Sequence, residues 1–131
     1  MTGGSVLLVD DEVALLDLLR RYLERNQFTV RASPDAAEAL RLVKAAPSDF
    51  WLLITDLTLP GISGEELIER VRTMIPGMPA IVLSGYAYQP RLEGVEFLQK
   101  PFLPKMLLEM VQGMMNSAAR GSGGRAAKHR A

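Results

Sequence analysis

Five residues that could do chemistry stand at the ends of short apolar runs in this chain. Asp10 and Asp11 close Val6-Leu7-Leu8-Val9, and Asp56 closes Phe50-Trp51-Leu52-Leu53-Ile54-Thr55. Ser84 closes Ala80-Ile81-Val82-Leu83, and Lys100 closes Val95-Glu96-Phe97-Leu98-Gln99. Taken singly, an acid there is a turn residue or a helix cap, the serine a turn residue, and the lysine an exposed strand-end charge. Five at equivalent ends of four runs point instead to one shared site. Like charges about 4 Å apart repel by roughly 4 kcal/mol at an effective dielectric near 20, so three clustered carboxylates call for a cation. Mg²⁺ suits two or three acids and a carbonyl, because it prefers oxygen ligands and retains several waters. A lysine beside such a site is no metal ligand but suits an incoming anion. Cation, ammonium and hydroxyl together could neutralise the oxygens of a phosphoryl group in transfer. Asp56 would then be the nucleophile, forming an aspartyl phosphate.

The elements that must position these groups follow from periodicity. Phe50–Ile54 is too short for a self-capped helix, and its bulk suits a strand buried on both faces. Val13–Arg25 is helical, with Leu15, Leu16, Leu19, Tyr22 and Leu23 on one face, and Asp10 or Asp11 is available to cap it. Phe28–Ala32 reads as a second strand. Ser33-Pro34 reads as an N-cap followed by proline at the first helical position, opening a helix to about Ala45. Ser63, three residues before Glu66, gives a capping-box pattern for a helix whose inner face is Leu67, Ile68, Val71 and Ile75. A last helix from about Leu103 carries Leu103, Met106, Leu107, Met110, Val111 and Met114, the methionines being core filler. The alternation predicts an α/β flavodoxin-like (βα)₅ three-layer sandwich with a parallel sheet in the order 2-1-3-4-5. That order sets strands one and three side by side, which brings Asp10, Asp11 and Asp56 together with Ser84 and Lys100 on the far side of Asp56.

The 131 residues, 48% of them hydrophobic, fit one globular domain. We expect a leader over 1–4, the domain over 5–116 and a flexible basic tail over 117–131. Residues 1–116 carry eleven Lys/Arg against fifteen Asp/Glu, whereas 117–131 carry four basic residues and no acid. Such a tail could touch nucleic acid or an acidic membrane, but Gly121-Ser122-Gly123-Gly124 has linker composition. No apolar run approaches 18 residues and no charged-then-apolar leader opens the chain, so neither a membrane span nor a signal peptide is expected. The absence of cysteine excludes disulfides and thiolate metal sites and fits a cytoplasmic protein.

Five segments together resemble the receiver domain of two-component response regulators. They are Val9-Asp10-Asp11-Glu12, the run Asp56 to Gly64, Ser84-Gly85, Phe97, and Lys100-Pro101. The resemblance implies that Asp56 accepts phosphate from the phosphohistidine of a histidine kinase or histidine phosphotransfer domain. It implies that Asp11, Asp56 and the backbone carbonyl of Thr58 hold Mg²⁺ directly and Asp10 acts through water. It also implies that Ser84 bonds one phosphoryl oxygen, Lys100 pairs with another, Phe97 is the switch aromatic, and the Lys100–Pro101 peptide is cis. The domain would catalyse its own phosphorylation and slow dephosphorylation, with no other cofactor, no direct DNA binding and no membrane insertion.

Two departures stand out. Leu59 replaces the family's frequent methionine, a volume-conserving change. The Ser84–Lys100 interval is shorter than usual, and Tyr86–Gly94 has room for about one helical turn, so the family's fourth helix is expected to be shortened or absent. Pro90 removes a backbone donor there, and Gly85 and Gly94 add freedom, so we expect an irregular, mobile loop and a monomeric domain. The wording around Ser84–Ala87 and Lys100–Phe102 leans toward a hybrid histidine kinase receiver over a stand-alone regulator. A flavin- or nucleotide-binding domain shares the architecture, but its first loop should offer glycines and N–H groups to phosphate, not Asp10-Asp11-Glu12. A receiver-like interaction module without phosphorylation is the other rival, distinguished by failure of a folded chain to take up phosphate.

Overall fold

The computed structural model describes residues 4–124; residues 1–3 and 125–131, which hold most of the expected leader and the end of the expected tail, lie outside the described residues. The chain divides after Pro101 into two compact units. The first alternates strand and helix: β1 (Ser5–Val9), α1 (Val13–Arg25), β2 (Thr29–Ser33), α2 (Ala36–Ala45), β3 (Phe50–Asp56), α3 (Gly64–Met74), β4 (Ala80–Ser84) and β5 (Val95–Gln99). All strand pairs are parallel and the order is β2-β1-β3-β4-β5, as the alternation predicts.

The central strands are buried except for the half-buried Trp51 of β3, which is why they read as apolar runs. Successive side chains serve opposite faces. Leu7, Val9, Leu53 and Val82 pack with Ala39 and Val43 of α2 and with Leu67, Ile68 and Val71 of α3. Their neighbours Val6, Leu8, Leu52 and Ile54 are equally buried, and α1 lies along β1 and β2 and buries Leu16, Leu19 and Leu23. Fully burying a Leu or Ile is worth roughly 1.5–3 kcal/mol, so this double-faced core supplies the rigidity that the strand ends inherit.

Several local expectations are corrected. β2 runs one residue later than read, because Ser33 still pairs with Val9. Ser33 is therefore strand, and the cap of α2 is Asp35, whose carboxylate accepts the Glu38 N–H at 2.8 Å. Neither Asp10 nor Asp11 caps α1: its N-cap is Glu12, with no side-chain cap. Ser63 does cap α3, accepting the Glu66 N–H at 3.1 Å.

No helix lies between β4 and β5; residues 85–94 are irregular but secured along α3 by side chains. In the second unit, α4 (Pro104–Gly124) starts with proline at its first position and buries Leu107, Leu108 and Val111. Leu103 precedes the helix and is 65% exposed, and Met106 is also exposed, against their expected place on the inner stripe. The helix continues through Ser117–Gly124, where the sequence suggests a linker. Each glycine there costs about 1 kcal/mol relative to alanine but imposes no stop. Among the described residues no helix is long and apolar enough to cross a membrane.

Candidate functional site

Register assembles the site. Val9 lies opposite Thr55, so Asp10 and Asp56 leave β1 and β3 at the same level. Asp56 lies opposite Leu83, one residue before Ser84, and Ser84 lies opposite Gln99, one residue before Lys100. Asp10, Asp56, Ser84 and Lys100, with Asp11 next to Asp10, therefore reach one edge of the sheet. Asp10, Asp11 and Asp56 each present a carboxylate oxygen, and these oxygens lie within 4.8 Å of one another. Asp10 is fully buried and Asp56 nearly so, whereas Asp11 is exposed.

Lys100 Nζ bridges two of the acids, lying 3.2 Å from Asp10 Oδ2 and 3.5 Å from Asp56 Oδ1. The other oxygen of Asp10 accepts the Glu12 N–H at 2.8 Å, which fixes the carboxylate at the head of α1. Burial pushes the Asp56 carboxyl above the usual aspartate value; Lys100 opposes this, while Asp10 and Asp11 reinforce it. Burial alone would lower Lys100, but Asp10 and Asp56 outweigh it and hold the ammonium above the usual lysine value. One ammonium thus pairs with two of the three clustered acids, and the net negative charge is left for an external cation.

The turn after β3 is tight. Gly64 N donates to Leu57 O at 2.7 Å, and Thr58, exposed in the turn, bridges to Ser63. A Cβ on Gly64 would run into the Asp56 carbonyl oxygen, so only glycine lets α3 begin this close to the acid. Ser84 is buried, and its hydroxyl accepts the Tyr86 N–H at 3.0 Å. Phe97 is half-buried on β5, with the Tyr88 ring edge-on at 5.7 Å. The Lys100–Pro101 peptide is cis. The clustered donors are all carboxylate oxygens, the chemistry of a hard divalent cation such as Mg²⁺.

Sequence reasoning missed a second cluster. Glu65 is buried in the first turn of α3 and accepts from the Tyr88 hydroxyl and the Arg91 guanidinium. Arg72, two turns on, donates to Met78 O at 2.9 Å and Glu93 O at 2.7 Å. A signal was present: Glu65 and Arg72 stand at i and i+7, in one row with Ile68 of the apolar face at i+3.

Comparison with known proteins agrees with this geometry. The family model described as the response regulator receiver domain matches residues 6–112. An uncharacterised 14.6 kDa protein of Leptolyngbya boryana is 36% identical, over 82% of this chain and 87% of that protein. The DNA-binding transcriptional regulator NtrC of Bradyrhizobium sp. (strain RP501 Parasponia) is 35% identical over 85% of this chain but only 24% of its own length. The chain spans from about a quarter to about half of the length of the first relatives it matches. Among solved structures, the receiver domain from the hybrid histidine kinase CckA has a TM-score of 0.77 at 33% identity, covering 86% of this chain and 99% of that one. A CheY-like receiver domain protein from Methanospirillum hungatei JF-1 has a TM-score of 0.80 at 30% identity, covering 91% and 98%.

Proposed function

Because this chain belongs to the response regulator receiver domain family of two-component systems, we propose that it takes a phosphoryl group onto Asp56 from the phosphohistidine of a histidine kinase or phosphotransfer protein. The observation that carries this reading is the convergence of three carboxylates at the sheet edge, two of them paired with one lysine. A carboxylate oxygen of Asp56 attacks phosphorus, the P–N bond to the donor imidazole breaks, and the ring nitrogen keeps the electron pair and takes a proton. The product is an acyl phosphate on Asp56, which water later hydrolyses.

Asp11, Asp56 and the Thr58 carbonyl are the groups to hold Mg²⁺ directly, with Asp10 acting through water. When bound, Mg²⁺ offsets the charge shared by the carboxylates and the phosphoryl oxygens. Lys100 trades its contact with Asp56 for a phosphoryl oxygen while Asp10 keeps it in place. The Ser84 hydroxyl donates to another oxygen, and Phe97 reports the change at β5. The domain carrying this activity spans residues 5–116 and works as a cytoplasmic monomer.

Acetyl phosphate with Mg²⁺ should add one hydroxylamine-labile phosphate, read by intact mass, and Asp56→Asn should abolish it without unfolding the chain. Phosphate surviving in Asp56→Asn, or none on folded wild type, removes Asp56 from the role.

A further inference from the structure

The segment 85–94 has no helix to hold it, yet it is fastened along its length. Tyr88 and Leu92 pack against the apolar cluster beneath α2 and α3, where a helix would otherwise contribute side chains. Glu65 is the main fastening. Its side chain is only 12% exposed, and its two oxygens are both engaged, one by the Tyr88 hydroxyl and one by Arg91. Arg91 is 79% exposed and therefore the partner that solvent can take over, whereas the Tyr88 ring is tucked inward. Arg72 secures the far end through Glu93 O. Row and segment thus match along α3: Glu65 meets residues 88 and 91, and Arg72 meets 93.

This fastening is joined to the site at three points. Gly64, next to Glu65, rests on the backbone of Asp56. The Tyr86 N–H, near the start of the segment, is bonded to the Ser84 hydroxyl. The Tyr88 ring stands edge-on to Phe97. A Ser84 hydroxyl turned toward a group on Asp56 gives up its bond to Tyr86, and displacement of Phe97 removes the surface against which Tyr88 is held.

We propose that Glu65, Tyr88 and Arg91 form a latch that holds segment 85–94 shut along α3 and positions Phe97, and that its opening is the conformational response to a phosphoryl group on Asp56. The second half rests on the phosphoacceptor reading above. Tyr88 and Glu65 are positioning residues, acting through Phe97 and the segment and touching no reacting atom. A ligand whose binding requires an element to open binds more weakly by the cost of that opening. Weakening the latch should therefore tighten binding at Asp56, an effect that simple loss of packing would not produce.

The test uses the full chain with Tyr88→Phe, which keeps the ring and removes the hydroxyl, and Arg91→Gln as a surface variant that folds in any case. Amide hydrogen exchange should show residues 86–94 exchanging about tenfold faster or more in both variants, with β1 and β3 unchanged. Beryllofluoride with Mg²⁺, a stable phosphoryl mimic, should bind the variants at least about fivefold more tightly. Loaded wild type should exchange in 86–94 like the free variants. Unchanged exchange in both variants overturns the latch. Phosphate from acetyl phosphate on Asp56 with 86–94 still protected overturns the coupling alone. If wild type takes no phosphate while the variants open the segment, the phosphoacceptor reading fails, and with it the coupling, but the latch is upheld.

Discussion

Two buried carboxylates flank the turn between β3 and α3, and their surroundings push them in opposite directions. Asp56 is raised above the usual aspartate value by burial and by Asp10 and Asp11, with only a shared lysine in opposition. Glu65 is lowered, first by its bond from Arg91 and then by the Tyr88 hydroxyl, which together outweigh its burial. Burial and Glu65 in turn raise Tyr88, keeping its phenol protonated as a donor. Asp56 sits in a site whose charge is completed from outside; Glu65 sits in one that is already complete. The first arrangement costs stability in exchange for reactivity, and the second contributes stability that an event elsewhere can remove. The contrast can be attacked from either side.

The largest effect should come from the lysine that keeps the acidic cluster tolerable. Lys100→Met leaves Asp10 buried without its ammonium, and losing one partner of a buried ion pair costs about 3–5 kcal/mol. Urea unfolding without metal should show that loss, and Mg²⁺ should recover part of it by binding only the folded state. An equal loss with and without Mg²⁺ would mean that Lys100 supports the fold independently of the acids.

At the latch, Glu65→Gln should cost about 1–3 kcal/mol, since it removes a charged acceptor from two donors without emptying the space. Mg²⁺ should not alter that figure, because Glu65 has no part in the carboxylate cluster. A Mg²⁺-dependent loss would merge the two regions into one electrostatic unit. The pH dependence gives a finer version of the same test. Tyr88 and Arg91 face Glu65, and Glu69 on the same helix also acts on Arg91. Because the folded value of Glu65 lies below its ordinary 4.5, its contribution is fully present above pH 4.5 and is lost as pH falls through the depressed value. The stability difference between wild type and Glu65→Gln should accordingly narrow on acidification below 4.5. A difference that stays constant there would assign the latch to shape and not to charge.

The two regions also differed in how far the sequence revealed them. Asp10, Asp11, Asp56, Ser84 and Lys100 each end an apolar run, so strand order alone carries them to one edge. Glu65 has no such marker. In Ser63-Gly64-Glu65-Glu66 the capping pattern drew attention to Glu66 and away from its neighbour. Its partners Tyr88 and Arg91 lie in a segment without periodicity, where no rule of spacing fixes a contact. Ser33-Pro34 misled for a related reason. A good local cap signal lost to strand pairing with Val9, and Asp35, three residues before Glu38, took the role. Contacts that follow from periodicity were legible, while those made by irregular chain are set only by the tertiary fold.

The smallest effect should be the one with the opposite sign. Asp11 is exposed and caps nothing, so its contribution without metal is mainly repulsion from Asp10 and Asp56. Solvent screens an exposed charge strongly, and Asp11→Asn should raise metal-free stability by only about 0.5 kcal/mol, less at high salt. The substitution should also reduce the stabilisation that added Mg²⁺ gives, because one carboxylate ligand is gone. The two changes together are diagnostic: a gain without metal and a smaller response to metal, both read from urea midpoints in the same buffer series. Substitution at Glu65 should do neither. If Asp11→Asn instead lowers stability without metal and leaves the Mg²⁺ response intact, Asp11 supports the head of α1. The charge imbalance that separates Asp56 from Glu65 would then rest on Asp10 alone.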